Sequence, residues 1–63
     1  MLAFYGKKKT DKTFKMYNIK NDTFVDRKIH VTVFDEKERD ELEKDIEYMN
    51  KHNPDYVFEL RKI

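Results

Sequence analysis

The side chains that could do chemistry in this chain of 63 residues are two histidines, thirteen carboxylates and a cluster of lysines near the start. His30 and His52 follow neither an HxH nor an HExxH pattern, and the chain has no cysteine, so we expect no metal site. The carboxylates are concentrated on a predicted helix surface, and no pair is placed for acid-base catalysis. Gly6 is the only glycine and cannot form a phosphate-binding loop alone. These observations predict a protein that is not an enzyme, has no cofactor and acts on no small-molecule substrate.

Five lysines fall within residues 7–15, where they are close to aromatic residues. Lysines in such a cluster bind the phosphate backbone of nucleic acid, and aromatic rings stack on bases. The same lysines would also keep a hairpin soluble and protect the edge of a sheet. Under the first interpretation, the nucleic-acid site consists of Lys7, Lys8, Lys9, Lys12, Lys15 and Tyr17.

The near-neutral net charge hides a separation of charge along the chain. The formal net charge is +1, but residues 1–34 carry eight basic and three acidic side chains, while residues 35–55 carry nine acidic and four basic ones. Such asymmetry bears on the partners of a protein rather than on its fold. The acidic segment would either dock on a basic surface or remain solvated, with its carboxylates paired to lysines four residues away.

Length and composition predict a single small domain spanning residues 1–63. Charged residues make up 43% of the chain, yet five phenylalanines and four tyrosines are too many for a disordered protein. The lack of cysteine favours a reducing, cytoplasmic location. No apolar run approaches the roughly 18 residues of a membrane-spanning helix, so we expect no membrane association. Because so short a chain gains little stability from its own core, burial of further surface in an oligomer is favoured.

Apolar patterning predicts three strands ahead of the helix and one after it. Residues 2–19 are typical of a two-stranded hairpin, with turn-forming residues near its middle. A third strand is predicted over residues 24–34, where apolar residues alternate, and a fourth over residues 56–61.

The helix is predicted from its capping residues and its apolar stripe. Asp35 and Glu38 form a capping-box pattern at its start, and Asn53, a natural left-handed terminator, is followed by Pro54 at its end. Tyr48 lies away from the apolar stripe, so we expect it to be exposed. The stripe itself consists of Leu42, Ile46 and Met49.

The element order β-β-β-α-β predicts an α+β fold, a two-layer sandwich in which one helix covers one face of a four-stranded, mostly antiparallel sheet. Because a helix joins strands three and four, we expect strand four to pair in parallel with a strand of the same direction. The apolar first strand looks central, which favours strand four beside it and the order 4-1-2-3. Strand four beside strand three is the alternative.

One helix covers only one face of such a sheet, so strand alternation decides which side chains stay uncovered. We expect the covered face to carry Leu2, Phe4, Phe14, Met16, Ile29, Val31, Val33, Tyr56, Phe58 and Leu60. The opposite face would be half apolar, which is typical of an interface. Together with Tyr48 on the helix, the predicted interface for a second copy or another protein is Tyr5, Lys15, Tyr17, Ile19, Phe34, Val57 and Arg61.

The segment from Tyr48 to Leu60 combines a helix end, an Asn-Pro-Asp stop and a strand, in a chain with eleven lysines and only three arginines. With this composition, the C-terminal half resembles short orphan proteins encoded by phages and prophages of Gram-positive bacteria. The resemblance rests on a structural motif and brings no catalytic or binding residues with it. It implies a small accessory protein, made in the cytoplasm of an infected cell, that binds and modulates a host or viral protein.

Two functions therefore follow from the sequence. The first is a non-enzymatic protein that binds a protein partner or forms a homodimer through the open face of its sheet. The alternative is a nucleic-acid-binding protein that uses the basic first hairpin and the tyrosines of the sheet.

Overall fold

The computed structural model describes all 63 residues and confirms the predicted α+β fold, with one open sheet and one α-helix. The helix has 14 residues and is too short and too polar to cross a membrane. The elements in chain order are β1 (Leu2–Lys8), β2 (Lys15–Asn18), β3 (Thr23–Val25), a 3-10 helix (Lys28–His30), a second 3-10 helix (Glu36–Glu38), α1 (Arg39–His52) and β4 (Tyr56–Lys62).

The strand order is β3-β2-β1-β4, which confirms the predicted position of β4 beside the central strand β1. The expected parallel pairing of these two strands is wrong, because every pair in the sheet is antiparallel. β1 and β4 form the longest ladder, from Leu2 opposite Lys62 to Lys8 opposite Tyr56.

The direction of β4 follows from the segment that replaces most of the predicted third strand. β3 covers only residues 23–25, and β2 has four residues and offers no partner for a longer strand. Residues 26–34 instead return to the start of β1, where Phe34 and Leu2 exchange two backbone hydrogen bonds of 2.8 Å. Since the helix then begins beside the start of β1 and runs along it, β4 must come back antiparallel.

The start of the helix has the predicted capping box. The Asp35 carboxylate accepts a hydrogen bond of 3.1 Å from the backbone N–H of Lys37, and the Glu38 carboxylate accepts one of 3.0 Å from the N–H of Asp35. At the other end, Asn53 does not adopt the expected left-handed conformation, since its φ is −131°. Its side chain terminates the helix instead, by donating a hydrogen bond of 2.8 Å to the Met49 carbonyl.

Glu36 fastens the beginning of the helix to the end of β4. Its carboxylate lies 2.9 Å from the Arg39 guanidinium and 3.4 Å from the Lys62 ammonium. Desolvation opposes ionisation of Glu36, but hydrogen bonds from Arg39 and Lys62 outweigh it and lower the pKa of the carboxyl.

The core lies between α1 and the centre of the sheet. Leu2 and Phe4 are fully buried and Leu42 of the helix is 5% exposed. Around them pack the partly buried side chains of Tyr17, Ile19, Phe34, Ile46, Met49 and Leu60. The predicted helix stripe is thus confirmed.

Asn50 joins the helix to the free edge of β4. Its side-chain amide donates to the Phe58 carbonyl at 3.1 Å and accepts from the Phe58 N–H at 2.7 Å. Asn50 thereby satisfies two backbone groups that an edge strand would otherwise leave without a protein partner.

Four residues predicted for the open face lie on the covered face instead, and one of them is Lys15, which is directly opposite Gly6 in the ladder. Tyr17 is directly opposite Phe4 in the ladder, Ile19 packs against the core, and the Phe34 ring meets the Phe4 ring edge-on at 5.7 Å. Met16 is correspondingly opposite Tyr5, away from the helix. The reason is the hairpin register, because a one-residue shift moves every side chain of a strand to the other face.

The prediction that Ile29, Val31 and Val33 lie under the helix is wrong, because Ile29 is 83% and Val33 39% exposed and Val31, although only 7% exposed, is outside the helix-side core. This segment is tied to the face of the sheet opposite the helix, because Asn18 alternates with the covered Tyr17. The Asn18 amide donates to the His30 carbonyl at 2.9 Å and accepts from the Thr32 hydroxyl at 3.2 Å. The returning segment therefore covers one end of the second face.

Candidate interaction surfaces

The rest of the second face is uncovered and is largely apolar. Its central row runs across all four strands as Val25, Met16, Tyr5 and Glu59, which are direct partners in the ladder. Direct partners in an antiparallel sheet point to the same face. The next position of β4 on this face is Val57, opposite Lys7. We call this surface the uncovered face, and it consists of Tyr5, Phe14, Met16, Val25, Val57, Glu59 and Arg61.

The Arg61 guanidinium packs against two aromatic rings of the uncovered face. It lies 4.8 Å from the ring centroids of both Tyr5 and Phe14, and its Nε lies 2.6 Å from a carboxylate oxygen of Glu59. Lys7 also lies near Phe14, with its ammonium 5.5 Å from the ring centroid. These contacts fix a charged side chain before any partner arrives, which lowers the entropy cost of binding.

The structure places some of the predicted interface residues together and separates others. Tyr5, Val57 and Arg61 lie on the uncovered face, as expected, and Tyr48 is exposed on the helix as expected. The Tyr48 ring lies tilted against the His52 ring, with centroids 4.1 Å apart, on the helix and not on the uncovered face of the sheet. The placement was wrong for Lys15, Tyr17, Ile19 and Phe34, which belong to the helix side of the sheet.

Sequence reasoning missed Phe14, Met16 and Val25 as residues of the uncovered face. All three are visibly apolar in the sequence. On strand two, however, Phe14 and Met16 point to one face and the equally apolar Tyr17 and Ile19 to the other, so the pattern does not show which pair faces the helix. The length of the loop between β1 and β2 sets the register and so decides which pair faces the helix. The sequence gives no other signal for this choice.

A second surface lies on the helix side of the sheet, beyond the end of the core. Here the Tyr17 ring is 5.1 Å from Phe24 and 5.2 Å from Phe58, edge-on to the first and tilted to the second. Tyr56 stacks beside Phe24 at 6.3 Å and beside Phe58 at 6.1 Å. Phe24 is 40% exposed, so one end of this aromatic cluster faces solvent.

The aromatic cluster forms one wall of an open groove of about 200 Å³. At the base of the groove the Phe58 ring packs directly on Gly6, which must lack a side chain because a Cβ there would lie 2.5 Å from a carbon of that ring. Lys8 and Lys15 line it, Lys9 lies beside Asp55 at its end, and Lys12 is exposed in the hairpin loop. We call the groove, lined by Gly6, Lys7, Lys8, Asp11, Thr13, Lys15, Phe24 and Tyr56, the aromatic groove.

Tyr17 connects this cluster to the turn between β2 and β3. Its hydroxyl donates a hydrogen bond of 2.8 Å to the carboxylate of Asp22, a residue with a left-handed φ of 53°. Burial, and then the bond to Asp22 and its negative charge, raise the pKa of Tyr17 from 10.0 to about 12.

We expect the raised pKa of Tyr17 to make stability fall as the pH rises from about 10 to about 12. In this window the unfolded chain releases the phenol proton while the folded chain still holds it, so deprotonation favours unfolding. The measurement is the free energy of unfolding by urea across this range for the wild type and Tyr17→Phe. The wild type should lose its stability more steeply than the variant, and a difference between the two that does not change with pH would contradict this assignment.

Neither surface brings together three or more histidine, cysteine, aspartate or glutamate side chains in the arrangement of a metal site. Comparison with known proteins found no matching family model, no matching curated protein and no matching solved structure. The two surfaces are therefore interpreted from their own geometry.

Proposed function

We propose that this protein is a small, non-enzymatic protein-binding module that forms a symmetric homodimer through the uncovered face of its sheet. The observation that supports the proposal is the row of apolar side chains Val25, Met16 and Tyr5 across three strands, which ends at Glu59 on β4 and lies on the face of the sheet opposite the helix. An apolar sheet face of this kind usually marks an interface in a small protein.

The thinness of the core also supports a partner for this face. Only seven of the 63 residues are buried. The accessible surface is 4827 Å², against about 4400 Å² expected for a folded monomer of this mass. The chain thus leaves about a tenth more surface in water than its size requires, and dimerisation would remove part of it.

A second copy of the chain suits the chemistry of the face. In a twofold contact the same patch meets itself, so the patch must be complementary to itself. Glu59 and Arg61 pair with each other on this face, so the two charges that dimerisation would cover are already partnered within each copy. The net charge of +1 gives the two copies little mutual repulsion.

The dimer is also the form in which we expect the protein to act. A small accessory protein that binds a host or viral protein in the cytoplasm is the role implied by the resemblance of the C-terminal half to phage and prophage orphan proteins. In that role the acidic helix and Tyr48, which the dimer leaves exposed, remain free for the further partner.

Sedimentation equilibrium of the wild type and of the double variant Met16→Asp, Val57→Asp tests the proposal. Two carboxylates in the middle of the uncovered face would be desolvated without partners on dimerisation, so the dissociation constant should rise at least about thirtyfold. The matched control is Ile29→Asp, which makes the same kind of change at a side chain that is 83% exposed and outside the face.

The control should associate as the wild type does, and circular dichroism should show that all three proteins are folded. A wild type that stays monomeric up to millimolar concentration would contradict the proposal. Equal association of the double variant and the wild type would contradict the assignment of the face.

A further inference from the structure

We propose that the aromatic groove binds single-stranded nucleic acid without strong sequence preference, with bases stacking against Phe24 and Tyr56 and phosphates held by Lys8 and Lys15. This site lies on the helix side of the sheet. It is therefore separate from the uncovered face through which we propose that the chain dimerises, and neither proposal depends on the other.

The first argument is the arrangement of the aromatic rings. Phe24 and Tyr56 have ring planes within 20° of each other, and Tyr56 and Phe58 within 14°. Nearly parallel rings with one exposed end form a platform on which a flat base can continue the stack. Because each ring is held by its neighbours, the platform is ordered before a ligand arrives.

The second argument is charge. The lysines at this end of the sheet are Lys7, Lys8, Lys9, Lys12 and Lys15; Lys8 and Lys15 line the groove with their side chains, whereas the Lys7 ammonium lies against the Phe14 ring on the other face. The nearby carboxylates are Asp11 in the groove wall, Asp55 at its end and Asp22, which is bound to the Tyr17 hydroxyl. Lysines outnumber these carboxylates, so the local field attracts a polyanion.

The third argument concerns the class of nucleic acid. Lysine ammonium groups act as point charges on phosphates, and the groove offers no arginine to read a base edge. Stacking on Phe24 and Tyr56 requires bases that are not already stacked in a duplex. The combination of aromatic rings with lysines therefore fits a single strand and accepts many sequences.

The test is the fluorescence anisotropy of a labelled oligothymidine of about 12 nucleotides, titrated with the wild type and two charge-reversal variants. Lys8→Glu with Lys15→Glu should raise the dissociation constant at least about tenfold and flatten its dependence on salt. Lys44→Glu with Lys51→Glu makes the same change in net charge on the exposed helix, and it should raise the constant less than about threefold. Equal losses of affinity in the two variants would contradict the assignment of the binding site to the groove.

A second pair of variants separates stacking from charge alone. Phe24→Leu keeps an apolar side chain but removes the exposed ring, and we expect it to weaken binding at least about fivefold. Phe14→Leu, the same change on the opposite face, should leave binding unchanged. If Phe24→Leu bound as the wild type does, or if a poly-glutamate peptide competed as well as unlabelled oligothymidine, the groove would be a general polyanion surface and the proposal would be wrong. Failure of the wild type to bind at low salt would also overturn it.

Discussion

Replacement of Phe4 by alanine should unfold most of the protein at 25 °C. Phe4 is fully buried at the centre of β1, packs with Leu2 and Leu42, and meets the Phe34 ring edge-on. Truncation of a buried phenylalanine costs about 3–5 kcal/mol, whereas a core in a chain of this size supplies about as much stability in total. Loss of this one side chain therefore removes most of the free energy of unfolding.

The effect of Phe4→Ala is measured by urea unfolding followed by circular dichroism, at protein concentrations where the wild type is monomeric. Ile29→Ala, at a side chain that is 83% exposed, is the control and should change stability by less than about 0.5 kcal/mol. A cooperative unfolding transition of Phe4→Ala within about 1 kcal/mol of the wild type would show that the core lies elsewhere.

The second large effect comes from two neighbouring residues of β2 that face opposite ways. Tyr17→Asp should lower the free energy of unfolding by about 3 kcal/mol, because it removes a ring that packs on the core cluster and puts a carboxylate in its place. Met16→Asp is the same substitution one residue earlier, on the uncovered face. It should change the stability of the monomer by less than about 1 kcal/mol but should weaken association.

Urea unfolding at low concentration and sedimentation equilibrium at high concentration distinguish the two variants. The low concentration matters because dimerisation stabilises the folded chain by mass action and would mix the two effects. Destabilisation by Met16→Asp together with normal stability of Tyr17→Asp would reverse the assignment of the two faces.

The helix and the strand order could be predicted because local signals specify them. The capping box of Asp35 and Glu38 acts within one turn, and its hydrogen bonds are those that the spacing implies. Leu2, Ala3 and Phe4 form a continuous apolar run, which marks a strand covered on both sides, and all three are fully buried.

The third strand could not be predicted because alternation does not reveal whether a partner strand exists. The alternating apolar residues Ile29, Val31 and Val33 are typical of a strand. However, β2 ends at Asn18, so this segment has no neighbouring strand with which to pair. The segment therefore turns back, and its polar groups are satisfied by Asn18 instead. The antiparallel direction of β4 is a consequence of this return.

The composition of the two surfaces could not be predicted because it depends on register. Tyr17 was expected beside Tyr5, and the register places it with Phe24 and Phe58 on the opposite face. The lysines and one tyrosine were recognised from the sequence as a basic, aromatic region. That Phe24 and Tyr56 line the same groove follows only once all four strands are paired, because these residues lie on the two outer strands.

The most direct test of the homodimer is a nuclear Overhauser experiment on a mixture of isotopically labelled and unlabelled protein, which detects only contacts between different copies. If the uncovered face is the interface, the Met16 methyl group of one copy should show contacts to the rings of Tyr5 and Phe14 or the methyl groups of Val57 in the other. Contacts between copies that involve only the helix, such as those from Tyr48, would contradict the proposed interface, as would the absence of any contact at a concentration where the dimer predominates.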